Sequence, residues 1–415
     1  MSKGEFIGKI NRSELMELCK THCCMFRAAI TNLVPLKHIE HPLSLSKCRK
    51  VKGAVVDNGR VVTAEYLETT ITEQDFFTYE EFYDWENIEM FDCIAYYKAY
   101  LPTPFVKAVL KLYRDKTELK GVAGEEVNYL LSKEMLNSTY GMTVTDIVRE
   151  NLEFNELNET GCISNYDEPD FDFDAYLLEQ INRYNNNPYR FLFYPWGVWI
   201  TAYARANLFS GIIACDRDYI YSDTDSIKIT NPESHLNYIS RYNEDITEKL
   251  KTACEFHGID FSETRPKNIK GVEKPLGVWE YEGIYDEFKT LGAKRYMGRQ
   301  GNDWIFTVAG VNKAMAKSYI IKRTHDINRV RKRRGLKPQS PLHLFNINLV
   351  VPKEYSGRNV LTYIDEEMHG TITDYLGNDF EYDELSSIHM ESTEYSLNPV
   401  DAFINYLFTI REEMW

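Results

Sequence analysis

Tyr219-Ile220-Tyr221-Ser222-Asp223-Thr224-Asp225-Ser226-Ile227-Lys228-Ile229 reads as a strand, a tight acidic turn and a returning strand, because β-branched and aromatic residues flank the Asp-Thr-Asp step. Two carboxylates one residue apart at such a turn point the same way and leave oxygens free for a hard cation. Mg²⁺ takes few protein ligands when substrate phosphates supply the rest, so this is a place to hold metal beside a nucleoside triphosphate. The same pattern also serves plain turn chemistry, with carboxylates accepting from nearby backbone amides.

A second segment, Lys133-Glu134-Met135-Leu136-Asn137-Ser138-Thr139-Tyr140-Gly141, closes a stretch that reads as helix from Glu125 onward. Lys133, Asn137 and Tyr140 fall at i, i+4 and i+7, so one face carries a cation, an amide and an aromatic ring. Such a face suits a triphosphate, with Lys as a point charge and Tyr as a flat surface beside sugar and base. A surface Lys beside a core Tyr is the alternative for this helix taken alone.

In this order the two segments resemble motifs B and C of the family B DNA polymerases, K-x-x-x-N-S-x-Y-G and Y-x-D-T-D-S. The resemblance is closer to the protein-primed polymerases of phages and linear plasmids and extends to flanking segments, from about Val61 to about Gly310. Thr201-Ala-Tyr-Ala204-Arg205 is similar to the family's T-x-x-[AG]-R element, which contacts template-primer, and Lys294-Arg-Tyr296 to its K-x-Y element at the primer terminus. Lys116-Thr-Glu-Leu-Lys120-Gly121 resembles the lysine-bearing segment that precedes motif B.

The resemblance implies roles by position. Asp225 is then the shared ligand of two Mg²⁺ ions, with Mn²⁺ an acceptable substitute, and Asp223 a weaker ligand. Lys133, helped by Lys116, neutralises the incoming dNTP, while Asn137 and Tyr140 position it. Ser138 and Gly141 allow close approach of the helix to the template, Lys294 and Tyr296 hold the primer end, and Thr201 and Arg205 contact the DNA. Phosphoryl transfer asks of a protein mainly positioning and charge stabilisation, and these residue types supply both.

The family's motif A, D-x-x-S-[LM]-Y-P, supplies the other metal-bridging aspartate, and it does not occur in the 415 residues; nor does an acidic proofreading exonuclease region. Met1-Ser-Lys-Gly-Glu-Phe-Ile-Gly8 resembles the stretch that follows motif A in relatives. The expectation is therefore a split or interrupted polymerase, inactive alone and completed by an N-terminal fragment carrying exonuclease and motif A. A decayed fragment is the less favoured reading, since every downstream motif is intact. A catalytically inert, polymerase-like DNA-binding subunit is the main alternative function. Another metal-dependent phosphoryl transfer, such as nuclease cleavage, finds no matching carboxylate spacing.

Composition suits a large protein with more than one core: 43% of residues are hydrophobic and 29 are tyrosines. The net charge of −15 argues against an indiscriminate nucleic-acid coat. Between Lys313 and Lys337 the balance reverses, with Lys317, Lys322, Arg323, Arg329, Arg331, Lys332, Arg333, Arg334 and Lys337 offset only by Asp326. A solvated helix face and a duplex-backbone contact both fit that run. The acidic excess falls in Glu65 to Asp92, Glu150 to Asp174 and the tail after Asp365, surfaces expected to face away from DNA. The eight cysteines form no C-x-x-C pair, so reduced, mostly buried thiols are expected rather than a zinc site. The most apolar run, Phe191 to Ile200, is short and contains Pro195, so no membrane span and a cytoplasmic location are expected.

The expected class is α+β, with the right-hand architecture of the resembled family: an antiparallel-sheet palm, helical fingers and a small thumb. Residues 1–108 hold strands at Met25 to Leu33 and Val55 to Val62 and the acidic amphipathic stretch from Thr72 to Phe82, and in relatives this region contacts the terminal (priming) protein. Residues 109–144 form the fingers, and 145–190 are a polar insertion, longer than a simple loop, that lies where relatives carry a hairpin insertion linked to processivity and strand displacement. Residues 191–330 form the palm, with helices from Val198 to Cys215 and His235 to His257 and strands at Leu276 to Tyr281 and Lys294 to Val308. Residues 331–415 make a basic linker and thumb.

Overall fold

The computed structural model describes residues 4–37, 39–154, 162–188, 193–364, 370–373, 378–382 and 387–397. The long β-branched and aromatic runs near the N-terminus build a large sheet. Strand β1 (Glu5–Ile10) leads through α1 (Arg12–Leu18) to β2 (His22–Pro35), followed by β3 (Cys48–Lys52), β4 (Val55–Asp57) and β5 (Arg60–Thr72). Helix α2 (Glu73–Phe82) then precedes β6 (Tyr83–Tyr97). The order is β1-β6-β2-β5-β3, with β4 also on β5, and every pair is antiparallel. The stretch expected as one strand from Val55 to Val62 is instead a hairpin turning at Asn58 and Gly59, both at positive φ.

Alternation along β2 points Cys24, Phe26, Ala28 and Ile30 into the core, where Phe26 meets Phe76 of α2 edge-on at 6.0 Å. Thr72 caps α2 reciprocally with Asp75, which fixes where the strand ends and the helix begins. The acidic stretch proves to be a buried helix as much as a solvated face. Glu68 is 6%, Glu73 1% and Asp75 6% exposed. Glu68 accepts hydrogen bonds from Lys50 (2.8 Å), Tyr66 (2.8 Å) and Arg27 (2.9 Å), which lower its pKa to about 2. The surface expectation for these three residues is thus corrected: hydrogen-bonded carboxylates are buried, and periodicity does not reveal a partner on another element.

Helices α3 (Thr103–Glu118) and α4 (Glu126–Gly141) form a packed hairpin where the fingers were expected. The polar insertion holds β7 (Leu152–Phe154) paired to β8 (Cys162–Ser164) and an amphipathic α5 (Phe173–Asn185) capped by Asp172. Helix α6 (Tyr194–Cys215) follows, then the hairpin β9 (Tyr219–Asp223) and β10 (Ser226–Ile229), then α7 (Leu236–His257). Pro195 does not break α6 because it lies in the first turn, where no N–H is needed. By length and composition α6 could cross a membrane, contrary to the sequence expectation, yet its Trp199, Ala202, Phe209 and Ile212 are buried in the protein. Phe209 packs edge-on to Phe82 at 5.3 Å.

Leu276 to Tyr281 forms no strand: the backbone N–H and C=O of Trp279 are taken up by the Asn243 side chain on α7 instead. Strands β11 (Glu287–Thr290), β12 (Arg295–Gln300) and β13 (Asp303–Val308) make an antiparallel sheet, the last two replacing one expected strand. Helix α8 (Lys313–Arg333) covers it, burying Ala316, Ile320 and Thr324 at four-residue spacing beside Met297, Phe306 and Phe345 in a second core. Beyond lie β14 (Val350–Val351), α9 (Lys353–Ser356), β15 (Arg358–Ile364), β16 (Gly370–Thr373), β17 (Asp379–Tyr382), β18 (Ser387–Thr393) and β19 (Tyr395–Ser396). The pairs are β15 with β18, β16 with β17 and β14 with β19. The last part of the expected thumb, residues 398–415, lies outside the described residues. The class is α+β, as expected, with the largest sheet contributed by residues 5–97.

Glu73 has no ion pair among the described residues and accepts from the Cys24 N–H at 2.9 Å and the Trp199 indole at 3.0 Å. Burial, more than those bonds offset, raises its pKa. A raised carboxylate pKa costs stability where the group is charged, so the penalty is fully present above the folded pKa and is lost as pH falls to the ordinary value. Thermal melts of Glu73→Gln between pH 5 and 8 are expected to show wild type gaining on the variant as pH falls. A difference independent of pH would contradict this.

Candidate functional site

The β9–β10 hairpin pairs Ser226 with Asp223 and leaves a two-residue loop, Thr224-Asp225. Thr224 adopts φ +57°, and the Asp225 N–H donates to the Asp223 carbonyl at 2.7 Å, a tight γ-turn that raises both carboxylates to the hairpin tip. The Asp223 carboxylate accepts from the Thr224 hydroxyl at 3.0 Å and lies 3.5 Å from the Lys294 ammonium. The Asp225 carboxylate is exposed and makes no hydrogen bond or ion pair among the described residues. One carboxylate is therefore restrained and the other free.

Lys294 reaches the hairpin through an unusual backbone. It stands at φ +54° in the turn between β11 and β12, and its N–H donates to the Tyr221 hydroxyl at 2.9 Å. Its carbonyl accepts from Ala309 at 3.0 Å. Tyr296 sits 5.1 Å from Tyr221 and stacks on Phe288 at 5.5 Å. The structure thus brings together Asp223, Lys294 and Tyr296, named from two segments about seventy residues apart. Gly292, at φ +114°, makes that turn possible, since a Cβ there would stand 3.1 Å from the Asn58 side chain.

On α4, Lys133 is half-buried without an ion pair among the described residues, and Asn137 and Tyr140 are exposed. Ser138 is exposed too, its hydroxyl donating to the Glu134 carbonyl at 2.7 Å, and a Cβ on Gly141 would meet open space. Lys116 on α3 lies 5.8 Å from the centre of the Tyr113 ring. No hydrogen bond or ion pair joins α4 to the acidic hairpin among the described residues; both instead pack on α6. Near its N-terminus, Gly197 lies against the turn after α4, where a Cβ would stand 2.2 Å from Val144 and 2.5 Å from Thr143. Near its C-terminus, Gly211 lies against Ile227 of β10, with a Cβ clearance of 2.6 Å. Fourteen residues of helix set these footings about 21 Å apart.

The remaining two residues of the sequence reading are engaged internally. The Thr201 hydroxyl donates to the carbonyls of Gly197 (3.1 Å) and Val198 (2.9 Å). The Arg205 guanidinium grips Asp75 with two parallel bonds, 2.8 and 3.0 Å, tying α6 to α2. Sequence reasoning missed Glu40 and Asp57, whose pKa values are both raised by burial. Glu40 lies 4.0 Å from Arg60, and one Asp57 carboxylate oxygen is buried without a hydrogen-bond partner. No motif signals either. Among the described residues no group of three or more His, Cys, Asp or Glu side chains is placed to hold a metal. The Asp223–Asp225 pair nonetheless matches the one or two carboxylates with which Mg²⁺ is held when phosphates complete its shell.

Gly197→Ala is expected to overpack the α4–α6 junction and cost about 1–3 kcal/mol. Chemical denaturation measures this, and an unchanged midpoint would show that the junction yields freely.

No protein-family model matches the chain, and no curated protein does. Its structure is similar to Phi29 DNA polymerase in an orthorhombic crystal form, at 14% identity and a TM-score of 0.49, covering 96% of this chain and 53% of that one. The post-translocation binary complex of Phi29 DNA polymerase with primer-template DNA gives 15% identity and 0.49, covering 91% and 51%. The ternary complex with primer-template DNA and incoming nucleotide substrates gives 15% and 0.47, covering 95% and 54%. The chain spans about half the length of these solved structures.

Proposed function

We propose that the chain performs template-directed DNA synthesis, transferring a nucleotide from a dNTP to a primer 3′-hydroxyl or to a priming protein, as part of a protein-primed family B DNA polymerase. The observation that carries this reading is the pairing of Lys294 with Asp223 beside an unpaired Asp225. Two motifs remote in sequence thereby share one surface that carries a cation, a free carboxylate and an aromatic ring.

Asp225, with Asp223, would hold Mg²⁺ or Mn²⁺, which supplies charge stabilisation at the attacking and leaving oxygens when bound. Lys133 and Lys116 offset triphosphate charge, and Asn137 and Tyr140 orient sugar and base. Ser138 and Gly141 keep the helix surface low enough for the template. Lys294 and Tyr296 seat the primer terminus. Arg205, already neutralised by Asp75, acts on DNA chiefly by fixing α6, with Thr201 shaping the first turns of the same helix. Residues 1–108, 109–144, 145–190, 191–330 and 331–415 would serve as the priming-protein-contact region, fingers, insertion, palm and thumb. Two carboxylates are few for two metal ions, so an N-terminal polymerase fragment bearing a further aspartate completes the site, in the cytoplasm. The same shortage favours one other reading, an inert DNA-binding subunit that keeps the polymerase shape.

Primer extension with Mg²⁺ and dNTPs, by the chain alone and with a candidate N-terminal fragment, separates the two; no extension in any combination would favour the inert subunit. In the active mixture, Asp225→Asn is expected to lower extension at least about a hundredfold, with primer-template affinity held within about twofold. Retained extension would remove Asp225 from the metal site. Lys133→Ala is expected to raise the dNTP KM about tenfold while the primer-template Kd stays near wild type. An unchanged KM would take Lys133 out of the triphosphate site.

A further inference from the structure

Helix α8 carries more positive charge than its own neighbours balance. Its C-terminal half bounds an open groove of about 610 Å³ against α9, lined by Lys322, Arg323, Arg331 and Arg334 and by the tyrosines Tyr319 and Tyr355. Asp326 is the one acidic residue in that lining, and its carboxylate lies 3.7 Å from Arg329 and 3.9 Å from the His325 ring. Lys322, Arg323 and Arg334 are exposed and have no ion pair among the described residues. Arg331 spends one N–H on the Lys337 carbonyl at 2.8 Å. The groove is therefore a positive region on a chain of net charge −15, held together against its own repulsion.

The floor distinguishes this groove from a plain basic face. Tyr319 and Tyr355 are partly buried against the second core, line the groove and lie 5.2 Å apart at 38°, with Val330 and Leu336 beside them. Cations alone would serve a duplex backbone, whose bases are hidden in the stack. Rings lining a groove between cations serve a strand whose bases are free to stack, because every base offers a π-face and every phosphate a charge. The catalytic reading gives this groove no part, and its charges and rings are independent of Asp223 and Asp225.

We infer that the α8–α9 groove binds unpaired nucleic acid, with its arginines and lysine on the phosphates and Tyr319 and Tyr355 against the bases. The test is fluorescence anisotropy with a labelled oligothymidylate and with a duplex of equal length, over a salt series. Measuring in EDTA and in the Asp225→Asn background keeps the outcome independent of the proposed polymerase activity. Wild type is expected to bind the single strand more tightly than the duplex. Arg323→Ala/Arg334→Ala is expected to weaken single-strand binding about tenfold and to flatten the log–log salt slope by about 1.4, the contribution of two phosphate contacts. Tyr319→Leu is expected to weaken single-strand binding about fivefold or more and to spare the duplex. Unchanged single-strand affinity in the double arginine variant, whose sites are exposed and do not support the core, would overturn the inference. So would equal single-strand and duplex binding unaffected by Tyr319→Leu, which marks a duplex-backbone surface. Capture by phosphatidylserine vesicles without oligonucleotide binding would overturn it as well.

Discussion

The bidentate contact between Arg205 and Asp75 is the constraint on which the arrangement of the site depends. Asp75 does two things with one carboxylate: it closes the cap of α2 on Thr72 and receives the guanidinium from α6. Its side chain is 7% exposed, so removing Arg205 would strand a buried carboxylate, a change that costs about 3–5 kcal/mol in comparable cases. A buried ion pair adds little net stability over a well-packed apolar pair, but its geometry admits one register. Here that register fixes α6 against the large sheet. Trp199 adds a second tie between the same two helices, donating to the buried Glu73 at the first residue of α2.

Once α6 is fixed, both halves of the proposed site are fixed with it. The base of α4 rests on Gly197 and the acidic hairpin on Gly211, and at each point the helix has no side chain because the partner occupies that space. The hairpin is a two-stranded sheet, an element of marginal stability by itself. It holds its shape through Ile227 on α6 and through the bond from the Lys294 N–H to Tyr221. Helix packing and one hydrogen bond to a remote turn thus do the positioning that strand pairing does in larger sheets.

Local chemistry made much of this legible in the sequence, and remote pairing made the rest invisible. The hairpin at Asp223 to Ser226, the helix ending at Gly141 and the apolar α6 announce themselves through β-branched flanks, four-residue spacing and continuous hydrophobicity. Arg205 does not, because its partner is 130 residues away and the capping pattern Thr72-x-x-Asp75 is the only local trace of it. Leu276 to Tyr281 has strand composition, yet Asn243 satisfies the Trp279 backbone and no neighbour strand is needed. The polar composition of residues 145–190 concealed α5, whose stability rests on a cap and an amphipathic face rather than on overall hydrophobicity.

The ion pairs sort themselves by what they can release. Asp75 is buried beneath a partly exposed Arg205, and loss of the arginine to a ligand would carry the cost of an unpaired buried carboxylate. Lys294, 59% exposed and 3.5 Å from Asp223, belongs to the class of surface pairs that contribute about 0–1 kcal/mol. Another cation or a phosphate can therefore take either partner at small cost. Backbone strain points the same way. Thr224 and Lys294 are two of eight non-glycine residues at positive φ among those described, one following Asp223 in the chain and the other pairing with it. Each conformation costs about 1–3 kcal/mol and persists because the γ-turn, the Tyr221 hydroxyl and Ala309 hold it. Where a fold spends strain to present charges and then binds them to each other only loosely, those charges are placed for a third party. Asp225, free at the tip of the same turn, is where that party would first be met.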